Sequence, residues 1–585
     1  MNFTYSVNPQ WKEPDSLEAG VVELLESELS LPSMLCQLLV ARGYHDPNVA
    51  KAFLRPTMEN LQDPSALSGI TEAAQRLIGA IHEGETILVH GDYDVDGIVA
   101  TALLTRWIRR LGGECVPFVP NRLTDGYDFG SAGLGQALES RATVVITVDS
   151  GIRAHETASK AKALGIDVIV TDHHTPGSDL PEAVSVVNPN QLGCDYANKG
   201  LCGAGVAYRL CQILATKLGV PEEELHSYLD FVALATIADV VPLTEENRTL
   251  VRYGLRVLRD SSNCGLKALI GAIDKPIDAL DSGYVAFQMA PRINAAGRMG
   301  EAKTALNLLM TDEKEYADKL VQELEYENIK RRKEESRILD EALDLLAENF
   351  DSQVDFGVVL YAEGWHPGVI GIIASRIVER IHRPTVLLSI SGDEVRGSAR
   401  SIPGFDLLTS LNACGDHLER FGGHRAAAGL TLLPCKIDAF KRSFNAEVSK
   451  HLGVEDCRPM LKPDVEIKLS EINQRTFHLL SYFGPYGISN PTPLFLVRNV
   501  ELISSGRKVG KSHLKLRVRQ LDKEFDAIGF NMASRVSPEC LKGGLLDMVF
   551  KLRENSYRGK SQIELQFLDL RLSEDNHPVT VGGHP

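Results

Sequence analysis

Residues 86–104 read TILVHGDYDVDGIVATALL. The opening run to His90 is apolar and β-branched, the pattern of a buried strand, and from Gly97 a helical spacing of apolar residues takes over. Between them stand Asp92, Asp94 and Asp96 at alternate positions. One aspartate suffices to cap a helix. Three so close repel one another, so a cation is expected to compensate them. The string D-x-D-x-D-G also opens a calcium EF-hand loop. That loop needs a bidentate glutamate at its twelfth position, where this chain has Leu103, and a helix before it rather than a strand. The EF-hand reading fails.

Working outward, further strand-like runs alternate with helical stretches between about residues 85 and 245: ECVPFVP, ATVVITVDS, IDVIVTDHH and VSVVNP. This alternation predicts βαβ units around a buried parallel sheet. The polar residues cluster at the carboxyl ends of the runs, the edge where open α/β sheets bind ligands. Asp149 closes one strand, Asp172, His173 and His174 close another, and Asp239 lies in the apolar run FVALATIADVVPL, read here as a further strand end. Each alone has a bland account as a cap, a satisfied core histidine or a hydrogen-bonded acid. Together they supply carboxylates and imidazoles without thiolate, a donor set for a hard or borderline divalent metal. Mn²⁺ suits it better than Mg²⁺ alone, because Mg²⁺ seldom takes histidine. There are enough donors for two ions about 3.5–4 Å apart sharing one carboxylate, an arrangement that activates water for attack on phosphorus.

At 585 residues several domains are expected. Composition is that of a globular chain, no apolar run is long enough for a membrane span, and MNFTYSVNPQWKEPD shows no secretory pattern. Ten scattered cysteines form no CxxC pair, which argues against a zinc knuckle or a disulfide framework and for a reducing cytoplasm. The net charge of −16 speaks against a polyanionic partner. Locally the balance reverses: Arg498, Arg507, Lys508, Lys511, Lys515, Arg517, Arg519 and Lys523 face only Glu501 and Asp522. Such a stripe matters more for nucleic-acid binding than the global sum. Residues 312–349 lack Gly and Pro and read as a long, largely solvated helix. A second α/β unit follows, and after about residue 455 a β-rich region fits an OB-type barrel. The expected division is an N-terminal segment (1–45), a parallel-sheet domain (46–311), a connecting helix (312–350), a second α/β domain (351–455), a β-barrel domain (456–575) and a tail (576–585).

The motifs HGDYDVDG, VDSG, TDHHTPG and ATIADVVPL resemble the DHH phosphoesterase family, and FGGHRAAAG resembles its DHHA1 domain. With RINAAGRMG, WHPGVIGIIASR, VRGSARS and FGPYGISNPTPLF in this order, most of residues 45–570 resemble the RecJ branch, bacterial exonucleases specific for single strands. The resemblance implies that His90, Asp94 and Asp149 hold one cation, with His90 either a ligand or just behind one. Asp96, Asp149, His173 and Asp239 would hold the other, Asp149 bridging. His174 would face the phosphate or leaving group, and Asp92 and Asp172 would orient histidines or backbone.

Phosphate handling requires cations and close backbone approach. The resemblance assigns Arg122, Ser398 and Arg400 to a 5′-terminal phosphate. It gives Arg298, Arg376 and His424 to the scissile phosphate or nearby strand, with Gly422 and Gly423 allowing the approach. Trp365, beside His366, either stacks a base or fills the core. Lys511, Lys515 and Arg517 represent the basic stripe as a guide for single strands.

The expectation is a metal-dependent exonuclease that degrades single-stranded DNA from the 5′ end to 5′-mononucleotides, using two divalent ions, Mn²⁺ or Mg²⁺. The resemblance implies a cytoplasmic bacterial monomer in recombination and mismatch repair, working with single-strand-binding protein and a RecQ-type helicase. The rivals are a nanoRNA or cyclic-dinucleotide phosphodiesterase, a pyrophosphatase, and a non-catalytic single-strand-binding scaffold. The first two normally need less chain. The scaffold predicts replaced ligands, whereas His90, Asp94, Asp96, Asp149, His173 and Asp239 are all present.

Overall fold

The apolar runs around the acidic loop become five strands: β1 (Thr86–His90), β2 (Glu114–Phe118), β3 (Val144–Val148), β4 (Asp167–Thr171) and β5 (Ser185–Val187). They form one sheet in the order β2-β1-β3-β4-β5 with every pairing parallel. All five residues of β3 are buried, as a strand covered on both faces requires. The order reverses at β1: β2 lies on one side and β3 on the other. The crevice beyond the carboxyl ends of β1 and β3 is therefore a topological switch point, where sheets of this kind place ligands.

This computed structural model describes residues 8–573 except 123, 127, 505, 534, 537–543 and 558–559. The sheet is flanked by α1 (Val95–Arg110), α2 (Ser131–Glu139) and α3 (His155–Ala163). Next come α4 (Gly203–Leu218) and α5 (Leu229–Ala238), both packed against α1 in one apolar core. Here the structure corrects the sequence reading. The run that ends at Asp239 is helix α5, not a strand, and Asp239 is its C-cap. Its residues from Leu229 to Ile237 are all buried, and a continuous apolar run carries no period by which helix and strand can be told apart.

A 36-residue helix, α6 (Lys314–Asn349), follows. It is less solvated than its composition suggests, because Ala317, Leu320, Leu324, Asn328, Arg331, Glu335, Ile338, Ala342 and Leu346 form a buried stripe at helical spacing. The chain divides into two compact units inside this helix, between Arg332 and Lys333. The first unit holds the parallel sheet and also takes in Gly484–Pro491. Hydrogen bonds to that loop include Leu243 N–H to the Ile488 carbonyl (2.8 Å), Ser282 Oγ to the Tyr486 carbonyl (2.6 Å) and Arg248 Nη2 to the Gly484 carbonyl (2.8 Å).

The second unit contains the chain before Arg55 together with the remainder after Arg332. One of its sheets has β6 (Val358–Glu363), β7 (Thr385–Ser391), β8 (Glu394–Arg400), β9 (Arg420–Gly423) and β10 (Ala427–Leu432) in the order β9-β10-β8-β7-β6. Only β6 and β7, joined through α7 (Ile370–Ile381), run parallel. The C-terminal sheet comprises β11 (Val465–Glu466), β12 (Phe495–Leu502), β13 (Arg507–Val509), β14 (His513–Gln520), β15 (Lys523–Gly529), β16 (Leu545–Tyr557) and β17 (Lys560–Leu572). Pairing of Glu501 with Arg519 and Leu502 with Val518 curls this sheet back on itself. The N-terminal residues pack within this unit: Arg42 pairs with Asp464 at 3.2 Å and the Phe53 ring meets Phe483 edge-on. Among the described residues, no helix is long and apolar enough to cross a membrane.

Candidate metal centre

The loop after β1 is shaped by its own aspartates. Asp94 is the N-cap of α1, its Oδ1 accepting from Gly97 N–H at 3.1 Å. Gly97 is required there because a Cβ would collide with the backbone of Asp92. Asp96, in the first helical turn, is 1% exposed. Asp149 follows β3 with φ +58°, a left-handed conformation that a non-glycine residue holds only when its surroundings over-determine it. Asp172 follows β4 and fixes its neighbours. Its Oδ1 accepts from His173 N–H (2.7 Å) and His174 N–H (3.1 Å) and lies 2.8 Å from His174 Nδ1, while its Oδ2 accepts from Ile152 N–H at 3.0 Å.

These elements bring ligand atoms together in three overlapping groups: Asp92, Asp94 and Asp149; Asp96, His173 and Asp239; and Asp149, His173 and His174. Within a group the atoms lie within 4.8 Å of one another. His173 Nε2 is 3.0 Å from Asp149 Oδ1, 3.6 Å from Asp239 Oδ2 and 3.8 Å from Asp96 Oδ2. Asp149 belongs to two groups, the position a shared carboxylate needs.

Among the described residues His90 is in none of these groups; its ring is fully buried against Phe118 and Phe129, with Gly133 pressed against its edge, and both ring nitrogens lack a hydrogen-bond partner. The strand ends at His90 and turns its side chain into these aromatics. Asp92, read as an orienting acid, takes the place beside Asp94 and Asp149 instead.

The electrostatics state the need for a cation directly. Burial raises the carboxyl of Asp149 far above the usual range, with repulsion from Asp96, Asp94 and Asp239 added. The same causes raise Asp96 to about 7, Asp239 to about 9 and Asp92 well upward. Burial lowers His173 to about 4, so it is a neutral, ligand-ready imidazole at pH 7. His174 behaves oppositely: burial opposes its charge, but the Asp172 carboxylate prevails and raises it to about 9. Asp172 is correspondingly lowered despite its burial. Asp92 Oδ1, Asp149 Oδ1, His173 Nε2 and Asp239 Oδ2 are buried without hydrogen-bond partners. Buried polar atoms are rarely left so, and hard oxygen and imidazole donors converging on one volume fit divalent cations.

Several residues here escaped the sequence reading. Asn190 Nδ2 donates to the His173 carbonyl (2.7 Å), Asn188 Nδ2 to the His174 carbonyl (2.9 Å), and Asn190 N–H to Asn188 Oδ1 (2.7 Å). The NPN string is a turn signal, and nothing local says that its amides clamp the histidine loop. Asp128 Oδ1 accepts from Gly151 N–H at 2.6 Å and so holds the turn after Asp149. Asn190→Ala is expected to weaken Mn²⁺ binding about tenfold, the usual scale for losing a group that orients a ligand, as read by titration calorimetry.

Of the phosphate candidates, Arg122 lies over the Tyr93 ring at 5.1 Å, and Gly297, next to Arg298, packs against the Tyr93 carbonyl. Both arginines thus flank the acidic loop. In the other unit, Arg400 Nη1 donates to Ser398 Oγ at 3.1 Å, and Gly371 leaves room for both side chains. Gly422, Gly423 and His424 form an exposed edge, with Gly423 at φ +148°. Arg376 is bonded at 2.9 Å to the buried Glu335. His366 Nδ1 accepts from Gly368 N–H at 3.1 Å. Trp365 is corrected: it is 1% exposed with its indole N–H on Glu341, so it fills the core and cannot stack a base.

Four of the eight cations of the basic stripe are paired. Lys515 pairs with Asp526 and Glu564, Arg517 with Glu524, Arg519 with Glu501, and Arg498 with Glu13, Glu466 and Asp547. Arg507, Lys508 and Lys511, on the hairpin of β13 and β14, are exposed, and none forms an ion pair with a described residue. The sequence reading missed this division because the paired acids are distant in the chain.

Residues 86–236 match the DHH family N-terminal domain, residues 355–450 the DHHA1 domain, and residues 463–569 the RecJ OB domain. The single-stranded-DNA-specific exonuclease RecJ of Bacillus subtilis is 35% identical over 557 residues, covering 94% of this chain and 70% of that protein. The crystal structure of RecJ with Mn²⁺ from Thermus thermophilus superposes with a TM-score of 0.82 at 31% identity, covering 97% of this chain and 80% of that one. The Mg²⁺ complex gives 0.76 at 30%, covering 97% and 79%. Sharing all three domains and more than 30% identity over most of both chains, this chain belongs to the RecJ family of DHH proteins.

Proposed function

We propose that this chain is a metal-dependent exonuclease that removes 5′-mononucleotides from the 5′ end of single-stranded DNA. The carrying observation is the convergence of unpartnered carboxylate and imidazole atoms at the switch point of the sheet, in a chain whose relatives are named single-stranded-DNA-specific exonucleases. Asp92, Asp94 and Asp149 would hold one cation, and Asp96, Asp149, His173 and Asp239 the other, Mn²⁺ or Mg²⁺. When bound, the cations supply an activated water for in-line attack on phosphorus and neutralise charge on the phosphate and departing 3′-oxygen.

The chain's own groups do the rest. His174, kept cationic by Asp172, presents an N–H and a positive charge to a phosphate oxygen. Arg122 and Arg298, beside the acidic loop, neutralise phosphates of the incoming strand. Ser398 and Arg400 form a hydroxyl–guanidinium pair suited to a terminal phosphate, which would set the 5′ polarity. The family resemblance supports roles in recombination and mismatch repair beside single-strand-binding protein and a RecQ-type helicase.

Single-stranded DNA labelled at either end, incubated with Mn²⁺ or with EDTA, tests the reading. Immediate release of a mononucleotide from the 5′-labelled strand, with stepwise shortening of the 3′-labelled strand and silence in EDTA, is the expected result. Cleavage confined to di- to tetranucleotides or cyclic dinucleotides would replace it with a small-substrate phosphodiesterase.

The hairpin makes a separable prediction. Replacing Arg507, Lys508 and Lys511 together with Ala should lower the slope of log affinity against log salt by about 2, at about 0.7 per phosphate contact on a single strand. Lys515→Ala should instead destabilise the domain, because Glu564, 3% exposed, loses a counter-charge. Fluorescence anisotropy over a salt series and a thermal melt separate the two effects.

A further inference from the structure

Helix α4 begins where three of the carboxylates meet. Gly203 N–H donates to Asp96 Oδ2 at 2.6 Å and Ala204 N–H to Asp96 Oδ1 at 2.8 Å. These amides belong to the first helical turn and have no intrahelical acceptor, so the carboxylate that receives them is held at both oxygens. Gly203 also lies directly against Asp149: a Cβ at that position would overlap the Cβ of Asp149. The helix therefore meets one ligand by hydrogen bonds and another by close packing.

Cys202 links this turn to α5, the helix that ends at Asp239. Its Sγ caps α4 by accepting from Gly205 N–H at 3.4 Å, and lies 3.4 Å from Thr236 Oγ1. Thr236 is on α5, three residues before Asp239, and its hydroxyl is anchored on the Val232 carbonyl at 2.7 Å. Cys202 and Thr236 are both buried, and Cys202 is not in any of the ligand groups. It is a thiol placed behind the cluster, joining the helix that holds Asp96 to the helix that ends at Asp239.

We propose that Cys202 and Gly203 are positioning residues: they fix the spacing of Asp96, Asp149 and Asp239, and with it the separation of the two cation positions. The inference rests on the reading of this cluster as a two-cation centre. Its physical basis is that sites of this kind work only when their ligands are held within about 0.5 Å, which the supporting groups must enforce. Gly203 sets how closely α4 approaches Asp149, and Cys202 sets the register of α4 against α5.

The test uses the full chain and Mn²⁺ alone, read by titration calorimetry and by the exchange-coupled electron paramagnetic resonance signal of paired Mn²⁺ ions. The wild-type protein should bind two ions and give the coupled signal. Cys202→Ala should weaken one of the two binding events about tenfold or more and change the coupled signal, as loss of a supporting group does. Cys202→Ser, which keeps a capping acceptor, should restore most of both. Gly203→Ala should lose the coupled signal, because Asp149 or α4 must move. Melts in EDTA that match wild type would show an intact fold, and if Gly203→Ala does not fold the two Cys202 variants decide. Wild-type stoichiometry, affinity and coupling in Cys202→Ala would overturn the proposal while leaving the centre standing. No Mn²⁺ binding by the wild-type chain would overturn the centre and the proposal together.

Discussion

Asp149→Ala loses cleavage of single-stranded DNA by on the order of 10³-fold or more, the equivalent of about 4 kcal/mol of transition-state stabilisation. Asp149 is expected to have this effect because it belongs to two ligand groups and lies 3.0 Å from His173 Nε2, so its removal disables both cation positions at once. The same substitution should leave single-strand affinity in EDTA nearly unchanged, since the exposed hairpin cations are untouched. Its effect on stability should run opposite to that of an ordinary core deletion. Asp149 is buried among Asp96, Asp94 and Asp239, whose charges oppose its own. Removing it deletes a buried carboxyl whose charged form burial and its acidic neighbours disfavour, so the metal-free variant is expected to melt at or above the wild-type midpoint, and the rise with Mn²⁺ expected of wild type to disappear. A variant that unfolds instead would assign Asp149 a structural role.

The second large effect is the exchange of protons for metal. Burial and the neighbouring carboxylates push Asp96 up to about 7 and Asp239 up to about 9, against an ordinary value of 3.8. Carboxyls raised on folding stabilise the metal-free protein most below their unfolded value, and that contribution is lost as pH rises through the folded values. Metal-free stability therefore declines from near the unfolded value of 3.8 upward, through about pH 9. Cation binding must expel these protons, so Mn²⁺ affinity increases over the same interval. The Mn²⁺-induced rise in melting temperature should be clearly larger at pH 8 than at pH 6. For scale, ligand at 100 times its dissociation constant adds about 2.7 kcal/mol. Calorimetric titration at pH 7 in buffers of different ionisation enthalpy should register release of about one proton or more. A binding heat independent of buffer, with equal melting shifts at both pH values, would mean that the cluster is already ionised in the metal-free protein.

Much of the centre was legible because its signals are local. The strand before Asp92, the strand ending at Val148 and the strand before Asp172 are short, β-branched and bounded by Gly or Asp, so period and composition placed them. The crowding of Asp92, Asp94 and Asp96 announced a cation through electrostatics alone. Asp239 was misplaced in its element, because the helix preceding it is buried all round. The surroundings of His90, at the end of its strand, and of Asp92, in the loop after it, were not legible, because only packing decides them. The rings of Phe118 and Phe129 enclose one, and Gly97 lets the other approach the cluster.

By itself the sequence determined the parallel-sheet class, the hard donor set, the second α/β unit and the β-rich C-terminal region, since each rests on periodicity or residue type within a short window. Only the tertiary structure decided the strand order that puts β1 and β3 side by side, and with it the crevice where Asp96 and Asp149 meet. The third dimension also brought the chain before Arg55 into the second unit and Gly484–Pro491 into the first, and paired Lys515 with Glu564. These outcomes depend on residues tens to hundreds of positions apart. The energies that select them, burial of shared apolar surface and pairing of distant charges, leave no mark on the local pattern of either partner.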